Sequence, residues 1–113
     1  MAKVIIVSSL EEEINKRFKK ESIHVLELLK SVEENPKKGK LVGQISGTII
    51  KELKYGVYRF YFITDGHAVK YLRVEELVTL IVKFVRLSDK DTQQEVIEEI
   101  KNVLRKIGTE GFS

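Results

Sequence analysis

Ile49-Ile50-Lys51-Glu52-Leu53-Lys54-Tyr55-Gly56-Val57-Tyr58-Arg59-Phe60-Tyr61-Phe62 reads as two apolar strands that meet at Gly56 and carry basic and aromatic side chains at alternate positions. Successive side chains of a strand point to opposite faces. Tyr58, Phe60 and Phe62 therefore point one way, and Val57, Arg59, Tyr61 and Ile63 the other. The first set suits a core, while the second presents Arg59 beside Tyr61. A guanidinium that forks onto phosphate oxygens, next to a ring that stacks a base, suits a nucleic-acid backbone with an unstacked base. The commoner meaning of an arginine in a half-buried strand is a solvated position, so the pattern carries both readings.

Outward from this stretch, strands are expected at about 41 to 46 and 48 to 54, and Gly56 permits a tight hairpin into 57 to 63. Lys37-Lys38-Gly39-Lys40 is a basic loop, ordinarily a solvated turn and also within reach of phosphate. On the other side, Asp65-Gly66 is the clearest turn signal in the chain. Residues 68 to 73 alternate as a further strand, Glu75-Glu76 break it, and 77 to 87 form a long apolar strand, central and buried on both faces over part of its run. Lys83 and Arg86 are three apart, so only a bulge brings both to one surface.

Toward the N-terminus, residues 3 to 7 form a β-branched run that fits a buried or central strand. Ser8 or Ser9, with Glu11 or Glu12 three residues on, has capping-box spacing for a first helix with Leu10, Ile14 and Phe18 inward. A second helix over about 21 to 34 buries Ile23, Leu26, Leu29 and Val32, and Asn35-Pro36 stops it. His24 within it reads as a surface or packed histidine, and His67 as exposed. Ser88, with Asp91 three residues on, opens a last helix whose Val96, Ile97, Ile100, Val103, Leu104 and Ile107 form one unbroken stripe up to Gly108. Thr109 to Ser113 are expected to fray.

The 113 residues fit one domain, spanning 1 to 113, that buries a core without staples. The absence of cysteine removes disulfides, thiol nucleophiles and thiolate zinc sites, and two distant histidines predict no dedicated metal site. Any catalysis falls to Lys, Arg, Tyr, Ser, Thr or carboxylates, with no cofactor. No apolar run of about eighteen residues and no signal-like leader are present, which predicts a soluble, cytoplasmic protein without a membrane partner. The 20 basic and 17 acidic residues give a net charge of only +3. Their placement is uneven: from Lys37 to Arg86, ten Lys or Arg stand against four acids, an excess of six, so the sheet is the positive part. The Lys- and Glu-rich composition with a single proline is also thermophile-like.

A strand, two helices, three or four antiparallel strands and a helix predict an α+β fold. In it an N-terminal helical hairpin and a C-terminal helix gather on one face of a twisted antiparallel sheet and leave the other open. Glu34-Asn35-Pro36-Lys37-Lys38-Gly39, Ile50 to Lys54, Tyr58 to Phe62, Asp65-Gly66 and Lys83 to Thr92 follow one another in an order that resembles the RelE/ParE/HigB-like toxin superfamily, most closely its phage-derived HigB-like branch. The resemblance spans about residues 3 to 107 and implies the toxin of a toxin–antitoxin pair. Such a protein cuts mRNA on the ribosome without a metal, by attack of the RNA's own 2′-hydroxyl, and is neutralised by an antitoxin partner.

By match to the family, Arg59 takes the phosphate-binding, transition-state role, and Lys54 replaces the arginine of a Glu-Leu-Arg motif. Lys83, Arg86 and Lys90 occupy the basic patch, with Lys51, Lys37 and Lys38 as further RNA contacts, Tyr61 as a stacking ring and Glu52 as the nearby carboxylate for a general base. The chain departs from the family pattern in several places. Ile50 and Glu52 stand where RelE has strand lysines, Leu87 replaces a motif lysine, and the motif's proline is missing. No Tyr or His follows residue 71, and residues 67 to 76 are additional. A ParE-like inhibitor of DNA gyrase and an inactive homologue that keeps only the partner-binding surface are the alternatives, and a homodimer is left open.

Overall fold

The computed structural model describes residues 1–113. Five strands, β1 (Lys3–Ile6), β2 (Lys40–Ile45), β3 (Thr48–Tyr55), β4 (Tyr58–Asp65) and β5 (Ile81–Asp89), form one sheet in the order β1-β5-β4-β3-β2. The helices are α1 (Ser8–Phe18), α2 (Ser22–Lys30), α3 (Gly66–Tyr71) and α4 (Gln93–Lys106). The chain is thus α+β, as its composition of elements predicts, but the sheet is mixed. β2 to β5 run antiparallel, while β1 pairs parallel with β5, Val4 opposite Val82. The run 3 to 7 is an edge strand, not a central one, because only β5 flanks it.

The β3–β4 hairpin closes as expected. Tyr55 faces Tyr58 across a two-residue loop, and Gly56 supplies a φ of +59°, which a residue without Cβ adopts freely. Both strand faces carry core residues: Phe60 and Phe62 on one side and Tyr61 and Ile63 on the other are all essentially inaccessible to solvent. Phe18 of α1 meets Tyr58 edge-on at 5.0 Å and lies 5.9 Å from Phe60, so the N-terminal helices cover the Phe60 face. α4 covers the opposite face. Its Glu99 pairs with Arg86, the register partner of Tyr61, and its Lys101 lies over Gly43, the partner of Ile50. The expected open face therefore does not exist, because the apolar stripe of Ile97, Ile100 and Leu104 is buried on it.

Several local expectations are corrected. Asp65-Gly66 is not a hairpin turn: Asp65 Oδ1 accepts from the backbone N–H groups of His67 and Ala68, at 2.9 and 3.1 Å, and caps α3 where a strand was expected. Residues Val74–Glu76 form a 3₁₀ turn, and the next strand starts at Ile81, four residues later than its apolar run. Ser8 and Ser9 lie inside α1 without a side-chain cap, and the turn that leads into α4 is held by Asp89, whose Oδ1 accepts from Asp91 N, Thr92 N and Thr92 Oγ1. Those bonds hold the Asp89 carboxyl below its ordinary range. Ser88 is instead a buried strand residue. Nor does the C-terminus fray: Phe112 is buried in the core, and Ser9 N donates to Ser113 O at 3.3 Å. No helix is long and apolar enough to cross a membrane.

Candidate functional site

The sheet face under α4 gathers the chemistry-bearing residues through strand register. Lys54 lies opposite Arg59, Glu52 opposite Tyr61, Arg59 opposite Ser88, and Tyr61 opposite Arg86. Between Arg86 and Phe84 the register slips by one residue at Val85, so a bulge brings Arg86 and Lys83 to the same face, the condition that their spacing set.

At the centre of this group Arg59 Nε lies 4.0 Å from Glu52 Oε1, with only 13% and 4% of the two side chains exposed. Arg59 Nη1 donates to the carbonyls of Tyr58 and Gly56 at 3.2 and 3.4 Å, while its buried Nε has no hydrogen-bond partner. A charged donor held out of water without an acceptor is costly, which marks the guanidinium as a group with unused binding capacity. Lys54, beside it across the hairpin, is exposed. Arg59, Glu52 and Lys54 thus come together as the sequence suggests.

Tyr61 does not act as a stacking platform in this structure. It is fully buried, and its hydroxyl shares a 2.9 Å hydrogen bond with Ser88 Oγ. Burial pushes the Tyr61 hydroxyl above the ordinary tyrosine range, with the Ser88 bond opposing and the Glu52 charge reinforcing the shift. The phenol therefore remains protonated at neutral pH and serves as a neutral hydrogen-bonding group. Arg86 is a neighbour of Tyr61 but is already committed, its Nε to Glu99 and its Nη1 to the Val85 carbonyl, with the guanidinium 5.0 Å from the Phe112 ring centroid.

The remaining basic candidates do not converge on Arg59. Lys51 points to the opposite face and is buried, its Nζ donating to the Lys37 carbonyl at 2.7 Å. Burial, with the charge of Lys37 adding to it, lowers its pKa below the usual lysine value. Lys51 is thus a structural cation tying β3 to the basic loop, not a free RNA contact. Lys37 is exposed on that loop, and Lys38 reaches Ser31 Oγ at 3.5 Å. Lys83 sits opposite Ile63, four residues along β4 from Arg59, and its Nζ donates to the Thr109 carbonyl at 2.8 Å. Lys90 is exposed in the turn that leads to α4. The basic region read from the sequence is therefore divided between two faces and two ends of the sheet.

Ser88 is the participant that sequence reading missed, because its position before a helix suggested a cap. The signal that would have found it is its place across the sheet from Arg59. His24 and His67 are both exposed, and nowhere do three His, Asp or Glu side chains converge as metal ligands do.

Fold and site together define an α+β protein with a helix-covered mixed sheet and a largely buried Glu–Arg–Tyr–Ser cluster flanked by one exposed lysine. Against protein-family models, curated proteins and solved structures, the chain returns no match.

Proposed function

We propose that the protein is the toxin component of a toxin–antitoxin pair, of the RelE/HigB-like kind, that cleaves mRNA on the ribosome through 2′-hydroxyl attack. The observation that carries this reading is the Arg59 guanidinium, nearly desolvated and without a hydrogen-bond acceptor at Nε, with Lys54 directly opposite it and Glu52 diagonal to it on β3. Arg59 and Lys54 supply positive charge where the phosphate oxygens gain negative charge, and a preorganised cation in a water-poor site stabilises that charge strongly. Glu52 takes the 2′ proton as the O2′–P bond forms and the P–O5′ bond breaks, and water supplies a proton to the departing 5′ oxygen. An antitoxin partner would cover the same surface.

The burial of Glu52 and Tyr61 favours a second reading, a catalytically silent homologue that keeps only the partner-binding surface. Induced expression separates these readings when growth and total mRNA are followed for the wild type, Arg59→Ala and Arg59→Lys. Arrest with mRNA loss, relieved in Arg59→Ala and only weakly restored by the unforked cation of Arg59→Lys, is the expected result. Arrest with stable mRNA and blocked supercoiling would replace the ribonuclease by a ParE-like gyrase inhibitor, and growth without arrest would leave the silent homologue.

A further inference from the structure

The residues additional to the toxin pattern, 67 to 76, build one wall of a cavity of about 660 Å³ at the end of the sheet away from the hairpin loop. Its size lies within the range of small-molecule sites. α3 exists because Asp65 caps it, and its Ala68 and the Leu72 that follows its end face the cavity together with Leu77, Leu80 and Ile63. The seven apolar residues share the cavity with four threonines, the carboxylates of Asp65 and Glu76, and one cation, Lys83.

Both carboxylates of the lining already have hydrogen-bond donors. Asp65 is committed to the backbone N–H groups that open α3, and Glu76 Oε1 accepts from Arg73 N at 2.8 Å and from Arg73 Nε at 3.3 Å. Lys83, by contrast, forms none of the chain's ion pairs, so no carboxylate lies within 4.0 Å of it. One of its three N–H donors is used, toward the Thr109 carbonyl. An ammonium with spare donors and no counter-ion, set at the rim of an apolar hollow, selects a ligand with one negative charge and a hydrocarbon body. A single ammonium balances one negative charge, which a carboxylate carries and a phosphate monoester dianion exceeds.

We infer that this cavity binds a small aliphatic monocarboxylate, with its head on Lys83 Nζ and its chain against Leu72, Leu77 and Leu80. The site is separate from the Arg59 cluster and does not depend on the ribonuclease reading.

Hexanoate, heptanoate and octanoate, each below its micelle concentration, are titrated into the full-length protein, and backbone amide shifts are recorded by NMR. Saturable shifts at Ala68, Leu72 and Leu80 are expected, with affinity rising about fourfold per added methylene. Octylamine, which carries the opposite charge on the same chain, should not bind. Lys83→Met should weaken octanoate at least about tenfold, the loss expected for a charge-assisted hydrogen bond, and Ala68→Trp, which fills the hollow, should remove binding. The chain-length series and the octylamine comparison use the unaltered protein, so misfolding of a variant leaves the test intact. No saturable shift with octanoate, no dependence on chain length, equal binding of octylamine, or undiminished octanoate binding in folded Lys83→Met would each overturn the assignment.

Discussion

Arg59→Met tests how the candidate site is held together before any activity is measured. The guanidinium and the Glu52 carboxylate are 4.0 Å apart, and their side chains are 13% and 4% exposed, so neither charge is solvated enough for screening to erase the interaction. No hydrogen-bond donor contacts the Glu52 carboxylate, and Arg59 is its only cation within ion-pair distance. Removing one member of a buried pair typically costs about 3–5 kcal/mol, mostly because the other charge is stranded. The long separation and the missing direct hydrogen bond place this pair at the low end, about 3 kcal/mol, or roughly 12 °C in melting temperature for a chain of this size. Glu52→Gln alone should cost less, since the two carbonyl acceptors of Arg59 remain. The double variant should cost about 2 kcal/mol less than the sum of the two single variants, the coupling energy that a double-mutant cycle reads. Urea unfolding followed by circular dichroism measures all four corners. A coupling below about 0.5 kcal/mol would refute the claim that the pair is structurally linked, and would then assign any activity lost in Arg59→Ala to chemistry alone.

Further expectations concern other parts of the molecule. Phe112→Ala should destabilise by about 3 kcal/mol, a core-sized loss that a frayed tail could not produce, and denaturant unfolding reads it directly. Tyr61→Phe should cost about 1–2 kcal/mol by leaving Ser88 Oγ buried without its partner, and adding Ser88→Ala should restore much of it. Asp65→Ala should cost about 1 kcal/mol, with faster hydrogen exchange confined to α3. Lys51 has a lowered pKa in the folded chain, so on raising the pH it loses its proton there before it does in the unfolded chain. Stability should therefore rise as pH climbs from that lowered value toward the ordinary lysine pKa, and this rise should disappear in Lys51→Met, as stability measured across alkaline pH will show.

The strands around Gly56 are legible because period-two alternation, β-branched content and a glycine turn all agree there. The long C-terminal helix is equally plain from its stripe. What alternation along β4 does not show is which of its two faces meets solvent: Arg59 suggests water on a face where Tyr61 and Ile63 are buried. The deciding information lies far away in the chain, in Ile97, Ile100 and Leu104, which need a surface to cover and find it there. Asp-Gly misleads for a local reason, since the same carboxylate that starts a turn also caps a helix, and the choice rests on Val69 and Leu72, three apart, packing on the core together with Ala68 at helical rather than alternating spacing. The parallel pairing of β1 is invisible to any window of sequence, because its partner strand follows almost the whole chain later. Counting basic residues located the positive segment but not its division, which follows from the parity of Lys51 against Glu52 and Lys54.

That pairing of first strand with last also sets an order of events during synthesis. Lys3 lies beside Ile81, a separation of 78 residues, so when β1 leaves the ribosome its neighbour has not yet been made. The β2–β4 meander closes through short turns and can form early, whereas β1 waits for a long-range closure that is slow in entropic terms. Until β5 arrives, the nascent chain carries a bare Val-Ile-Ile-Val segment, a transient opportunity for a chaperone or for mispairing with a neighbouring nascent copy.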